Sequence, residues 1–159
     1  MIKVVSRLAS LMIVAGALVF FSNCGGDDPK DPAQKQKLDA LSKTWSVTKV
    51  TFENLEDRTD DFLGFTLNIS GNFNSNNPDG PYNYSVTNNP AFTPWPTPSG
   101  TWTFTTLGTG NSGTLTRNDG VLMTYSINSQ GDLSLTFNYG DSGGRSKVID
   151  GDWEFIFTD

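Results

Sequence analysis

The chain has 159 residues, a net charge of −6, no histidine and a single cysteine. Without histidine there is no Ser–His or Cys–His catalysis and no imidazole ligand, and one cysteine excludes an intrachain disulfide and a cysteine-based zinc site. The acidic balance repels phosphate backbones, so nucleic acid is not an expected partner, and we expect no enzyme and no cofactor.

Lys3 and Arg7 precede a mostly apolar run from Leu8 to Phe21. That run is too short for a membrane span and reads as the core of a signal peptide over residues 1–23. Without Lys3 and Arg7, nine cations face seventeen acids from Cys24 onward, a balance of −8. The lone cysteine follows as Ser22-Asn23-Cys24-Gly25-Gly26. This resembles a bacterial lipoprotein signal, which implies cleavage before Cys24 and acylation of its thiol, palmitate-type chains included. Several chains on one cysteine anchor stably where a single chain is marginal. The stretch Gly25-Gly26-Asp27-Asp28 resembles the acidic signal that sends such lipoproteins outward, which implies outer-membrane attachment and cell-surface exposure. Residues 24–36 are the lipidated cysteine and a polar, flexible tether.

The folded domain is expected over 37–159. Leu38 and Leu41, three apart with Ala40 beside them, predict a short helix over 34–43, with Pro32 at its first position. From Trp45 onward the period changes to two. Eight strands are expected, near 45–52, 63–73, 81–87, 101–106, 112–117, 121–127, 132–139 and 147–157. In the second, Leu63, Phe65, Leu67, Ile69 and Phe73 share a face. In the sixth and seventh, Val121, Met123, Tyr125 and Ile127, then Leu133, Leu135, Phe137 and Tyr139, alternate with Ser, Thr and Asn. Clean alternation gives one wet and one buried face, hence an antiparallel sheet. Asn118-Asp119-Gly120 predicts a tight type I′ hairpin, and Ser129-Gln130-Gly131 and Asp141 to Gly144 mark further turns. Lys49 breaks the parity of the first strand, and a bulge at 48–49 restores it. Short consecutive strands favour an eight-stranded antiparallel up-and-down β-barrel, which leaves no exposed edge; a two-sheet β-sandwich is the alternative.

Several residue groups invite a functional reading. Asn72, Asn74, Asn76, Asn77 and Asp79 have the oxygens of a calcium loop but only one carboxylate, and read as a polar hairpin tip with no metal. Asp150, Asp152 and Glu154 alternate with Trp153 and Phe155, so the acids face outward rather than forming a glycosidase pair. Between Asn88 and Gly100, four prolines surround Phe92 and Trp95. The prolines stiffen this segment and bar it from a central strand. Trp95 either stacks on a sugar or apolar ligand at the barrel mouth or lies as a lid over the core. The candidate ligand-binding residues are therefore Trp95, Phe92, Tyr84, Tyr125 and Trp102. The many inward aromatics favour a filled interior over a hollow one.

At Leu41-Ser42-Lys43-Thr44-Trp45 the chain resembles the opening of lipocalin-like domains, where a short helix leads into a tryptophan on the first strand. Gly151-Asp152-Trp153-Glu154-Phe155 and the Cys-Gly-Gly-Asp-Asp start extend the resemblance to small lipocalin-like lipoproteins of Bacteroidota. It implies a lipid-anchored barrel, with Trp45 and Trp153 as structural residues and Trp45 plugging the closed end. The function expected is binding of a small apolar molecule or glycan. A filled barrel that meets a protein partner through loops 74–80, 88–100 and 140–146 is the second expectation, and a carboxylate hydrolase a distant third.

Overall fold

The computed structural model describes residues 31–140 and 149–159. Cys24, the leader and most of the tether lie outside these residues, as do the turn expected at 141–144 and residues 147–148 of the last expected strand. The elements in order are helix α1 (Ala33–Leu41), β1 (Thr44–Phe52), β2 (Glu56–Asp57), a 3₁₀ turn (Thr59–Phe62), β3 (Thr66–Ser70), β4 (Tyr82–Thr87), β5 (Ser99–Leu107), β6 (Ser112–Arg117), β7 (Leu122–Ile127), β8 (Leu133–Tyr139) and β9 (Gly151–Thr158).

Apart from the two-residue β2, each strand pairs antiparallel with its sequence neighbour, and β9 returns to pair with β1. Eight strands thus close into an up-and-down barrel with the lipocalin-like architecture, and the β-sandwich is excluded. Closure satisfies the edge groups that an open sheet would expose. The seam between β1 and β9 runs from Ser46↔Thr158 to Phe52↔Trp153, with a register shift between Val47 and Lys49. That is the expected bulge, and it leaves Lys49 exposed while Val50 is fully buried.

The period-two pattern becomes the core. Trp45, Leu67, Phe104, Leu115, Met123, Tyr125, Leu135, Phe155 and Phe157 are all buried inside. Two inward positions carry glycine for a reason of space. A Cβ at Gly100 would lie 2.7 Å from the Tyr84 ring, and one at Gly113 would lie 3.0 Å from that of Tyr125. Each glycine sits directly across the ladder from its tyrosine and lets the ring lie flat over the strand.

Three local expectations are corrected. The strand expected over 63–73 is only Thr66–Ser70: Gly64 takes a positive φ of 74°, so Leu63 points out at 73% exposure while Phe62 and Phe65 turn in. Pro32 stands one residue ahead of α1, as its cap, not at its first helical position. The hairpin at 118–120 is a three-residue loop, because only Gly120 has positive φ and a type I′ turn needs two such residues.

The two barrel ends differ. At one end lie α1 and the β3–β4, β5–β6 and β7–β8 connections. Lys37 on α1 donates from Nζ to the carbonyls of Gly110 (2.6 Å) and Ser112 (2.7 Å), fixing the helix across this end. Trp45 is fully buried beneath it and donates from Nε1 to Leu41 O at 2.9 Å, with the Lys43 ammonium 5.3 Å from its ring centroid. Trp153 is buried at the opposite end and donates from Nε1 to Ile149 O at 2.9 Å, with the Arg58 guanidinium 5.9 Å from its ring. That opposite end carries the β1–β3, β4–β5, β6–β7 and β8–β9 connections, and is called the loop end below.

Candidate binding site

The connection from β4 to β5 covers residues 88–98 and enters the barrel. Prolines 90, 94, 96 and 98 supply no amide donors, so the segment forms no strand of its own, and only Pro98 O, accepting from Val86 N at 2.8 Å, continues the β4–β5 bonding. Side chains fold it instead: Asn89 Nδ2 donates to Trp95 O at 2.7 Å, and Trp95 N donates to Thr93 Oγ1 at 3.1 Å. The result drives Trp95 inward, to 2% exposure, while Phe92 stays outside at 64%. The Trp95 ring lies 5.7 Å from Tyr84, 5.9 Å from Phe137, 6.0 Å from Phe65 and 6.1 Å from Phe155. Of the two expectations for Trp95, the geometry is that of a lid whose indole is part of the core.

Arg117 is the residue that sequence reasoning missed. It ends β6 at an inward position, in phase with Gly113 and Leu115, and is 1% exposed. The hairpin turns the chain so that Asp119 meets it two residues later. Arg117 Nε donates to Asp119 Oδ1 at 2.8 Å and Nη2 to Oδ2 at 2.7 Å, a bidentate pair. Nη2 also donates to Pro94 O at 2.9 Å. The guanidinium stacks 4.8 Å from the Trp95 ring centroid, with Tyr139 at 5.8 Å and Phe137 at 6.0 Å. Burial pushes the Asp119 carboxyl up, but the hydrogen bonds and charge of Arg117 outweigh it and hold it below its ordinary value. The available signal was the parity of β6 itself, which places an arginine where a core side chain belongs.

Tyr84, Trp95, Trp102 and Arg117 line one small internal cavity of about 20 Å³, otherwise walled by aliphatic side chains such as Leu67 and Leu115. A preformed ligand pocket runs to roughly 300 Å³ or more, so among the described residues the barrel interior is filled. The cavity wall is apolar, and two buried donors of its lining residues, Trp95 Nε1 and Arg117 Nη1, have no hydrogen-bond partner among the described residues. Tyr84 hydroxyl pairs with Thr97 Oγ1 at 3.4 Å, and Trp102 Nε1 donates to Asn83 O at 3.3 Å. Tyr125 does not line the cavity. Its hydroxyl is buried without a partner among the described residues, and burial pushes its pKa up to about 12.

The remaining candidates fall outside the interior. Asn74 folds the β3–β4 tip, accepting Asn76 N on Oδ1 at 2.9 Å and Asn77 N on its carbonyl at 3.0 Å. Asp152 is exposed and accepts Asn138 Nδ2 at 2.8 Å, while Trp153 and Phe155 take the core positions between the acids. An open polar depression of about 410 Å³ lies outside β7–β9, along Thr124, Thr136, Asn138 and Glu154. Four large apolar side chains are exposed among the described residues, Leu55, Leu63, Phe92 and Leu122. All four belong to the loop end. No helix among the described residues is long and apolar enough to cross a membrane.

No family model matches the chain, and no match was found among curated proteins or among solved structures.

Proposed function

We propose that this chain is a non-enzymatic, lipid-anchored outer-membrane lipoprotein whose lipocalin-like barrel binds a small apolar molecule or a glycan at its loop end. The observation that carries the binding half is the asymmetry of the barrel. One end is sealed by α1 through Lys37. The other is stopped by a proline-rich segment and rimmed by Leu55, Leu63, Phe92 and Leu122. Exposed apolar side chains gathered at one end are a binding feature rather than a stabilising one. The anchoring half rests on Cys24 and the apolar run before it.

The binding half is tested by titrating the ¹⁵N-labelled mature chain with a panel of apolar small molecules and oligosaccharides. Shifts confined to 53–65, 88–98 and 118–121 support it; a panel that moves nothing, or only the α1 end, contradicts it. The anchor is tested by feeding cells an alkyne fatty acid. Wild type is expected to be labelled and membrane-bound and Cys24→Ala unlabelled and soluble, and identical fractionation of the two contradicts the anchor.

The filled interior favours a second reading, a protein-interaction module that uses the same loop end. A protein that co-purifies with wild type and is lost on shortening 88–98 would support it over the first.

A further inference from the structure

We propose that the interior of the loop end is a ligand site occupied by the chain's own Trp95, and that an external ligand enters by displacing it. The ligand class is a neutral, flat, apolar molecule with a single oxygen acceptor, which Arg117 Nη1 receives. This deepens the binding reading above and rests on it.

The first observation is how Trp95 reaches the core. It does not belong to a barrel strand; it is delivered by the connection 88–98. That segment's ends are fixed to the barrel, where Asn88 Nδ2 donates to Gly64 O, Val86 N donates to Pro98 O and Thr97 Oγ1 meets the Tyr84 hydroxyl, while Asn89 to Trp95 and Trp95 to Thr93 are internal to the segment. Its tip is tied to a strand by the Arg117 Nη2 bond to Pro94 O and by the guanidinium stacked on the indole. The stretch between those ends, 89–96, carries no strand pairing and can withdraw without breaking the barrel ladder.

The second observation is a mismatch of donors. Trp95 and Arg117 both line the apolar cavity of about 20 Å³, and no acceptor among the described residues reaches the buried Trp95 Nε1 or Arg117 Nη1. Nothing is gained by burying two such groups unless an oxygen meets them. The space admits one water and nothing larger while the indole is in place. With the indole out, the vacated volume is flat, bounded by Phe65, Tyr84, Phe137 and Phe155 and continuous with the cavity lined by Leu67 and Leu115, and has the Arg117 guanidinium at its side.

Charge then selects the ligand. The Arg117 guanidinium is already matched by the bidentate Asp119 carboxylate. A second carboxylate would be a buried charge without a counterion, which is strongly unfavourable. A ketone, amide or hydroxyl oxygen satisfies Nη1 without that cost.

The test uses the full mature wild-type chain and three probes of one shape. 2-Acetonaphthone is bicyclic and neutral with a carbonyl; 2-ethylnaphthalene lacks the acceptor; 2-naphthoate is anionic. The Trp95 indole N–H resonance, assigned by its loss in Trp95→Phe, reports the plug. The ketone is expected to bind wild type, shift that resonance to a solvent-exposed position, and bind about tenfold or more tighter than either comparator. Arg117→Lys is expected to reduce the preference to within about twofold, and Trp95→Ala to raise ketone affinity about tenfold by removing the internal competitor. Should Trp95→Ala not fold, the wild-type resonance decides alone. A ketone that shifts rim residues but leaves the Trp95 indole unmoved overturns the plug while sparing loop-end binding. Failure to bind wild type overturns it as well, whether or not Trp95→Ala binds.

Discussion

Arg117 and Asp119 show how two residues set the character of the barrel interior. The pair replaces what parity would fill with an aliphatic side chain, and its partners come from three elements: the hairpin, the proline-rich segment and β8. Arg117 is buried but Asp119 is exposed, so removing the arginine leaves a solvated carboxylate and an emptied core position. Arg117→Ala is therefore expected to cost about 2–5 kcal/mol in urea unfolding, from lost packing and hydrogen bonds. The pair also gives an acid limb. Asp119 is held below its ordinary value of 3.8, so its stabilisation is complete above that pH and is lost as pH falls through the folded value. The slope of stability against pH below 4 is expected to flatten in Asp119→Asn. Tyr125 acts in the opposite range. Its neutral form is favoured by burial, so its contribution is complete below pH 10 and lost as pH rises through about 12. Tyr125→Phe removes an unpartnered hydroxyl and is expected to be neutral or up to about 1 kcal/mol more stable, with a weaker alkaline limb in thermal melts. At this scale the sequence was half legible. Trp45, Tyr84, Trp102 and Trp153 could be placed inside by parity. Trp95 could not, because no periodicity governs a proline-rich connection, and Arg117 was overlooked because charge was read before phase.

Among the elements, α1 is fixed more by one side chain than by its own propensity. Its two buried leucines meet the core, but Lys37, 7% exposed, joins it to the β5–β6 end through two carbonyls. Burial lowers the Lys37 pKa, yet those carbonyls hold the ammonium. Lys37→Ala leaves them without a donor and is expected to cost about 2 kcal/mol, measured by thermal or urea unfolding, with exchange protection lost first in 33–41. The helix and the eight strands were legible because their apolar residues recur at 3.6 or 2. The turns were less so. Asp119-Gly120 announced a hairpin but not its length. Glu53 and Asn54, both with positive φ, make the turn into β2 that no Gly or Asn-Gly pair foretold. Beyond Gly64 the parity of Leu63 inverts, since a left-handed residue breaks the phase between Leu63 and β3.

For the whole molecule, closure and plugging are separate achievements. Closure comes from the β1–β9 seam and its bulge, and the bulge was foreshadowed by Lys49, which shares the parity of Trp45 and Val47 while Val50 and Phe52 do not. Plugging comes from α1 at one end and residues 88–98 at the other, and only the second is delivered by a segment outside the strands and helix. The aromatic load in the sequence pointed to a filled barrel, but the ring that completes the filling arrives from a loop. Amide and indole hydrogen exchange on the wild-type chain tests this division most directly. The Trp95 indole N–H is expected to exchange about a hundredfold or more faster than those of Trp45 and Trp153, with strand amides exchanging only by global unfolding. Trp95 exchanging at the same slow rate as Trp153 would contradict it, and would make the proline-rich segment a permanent part of the core.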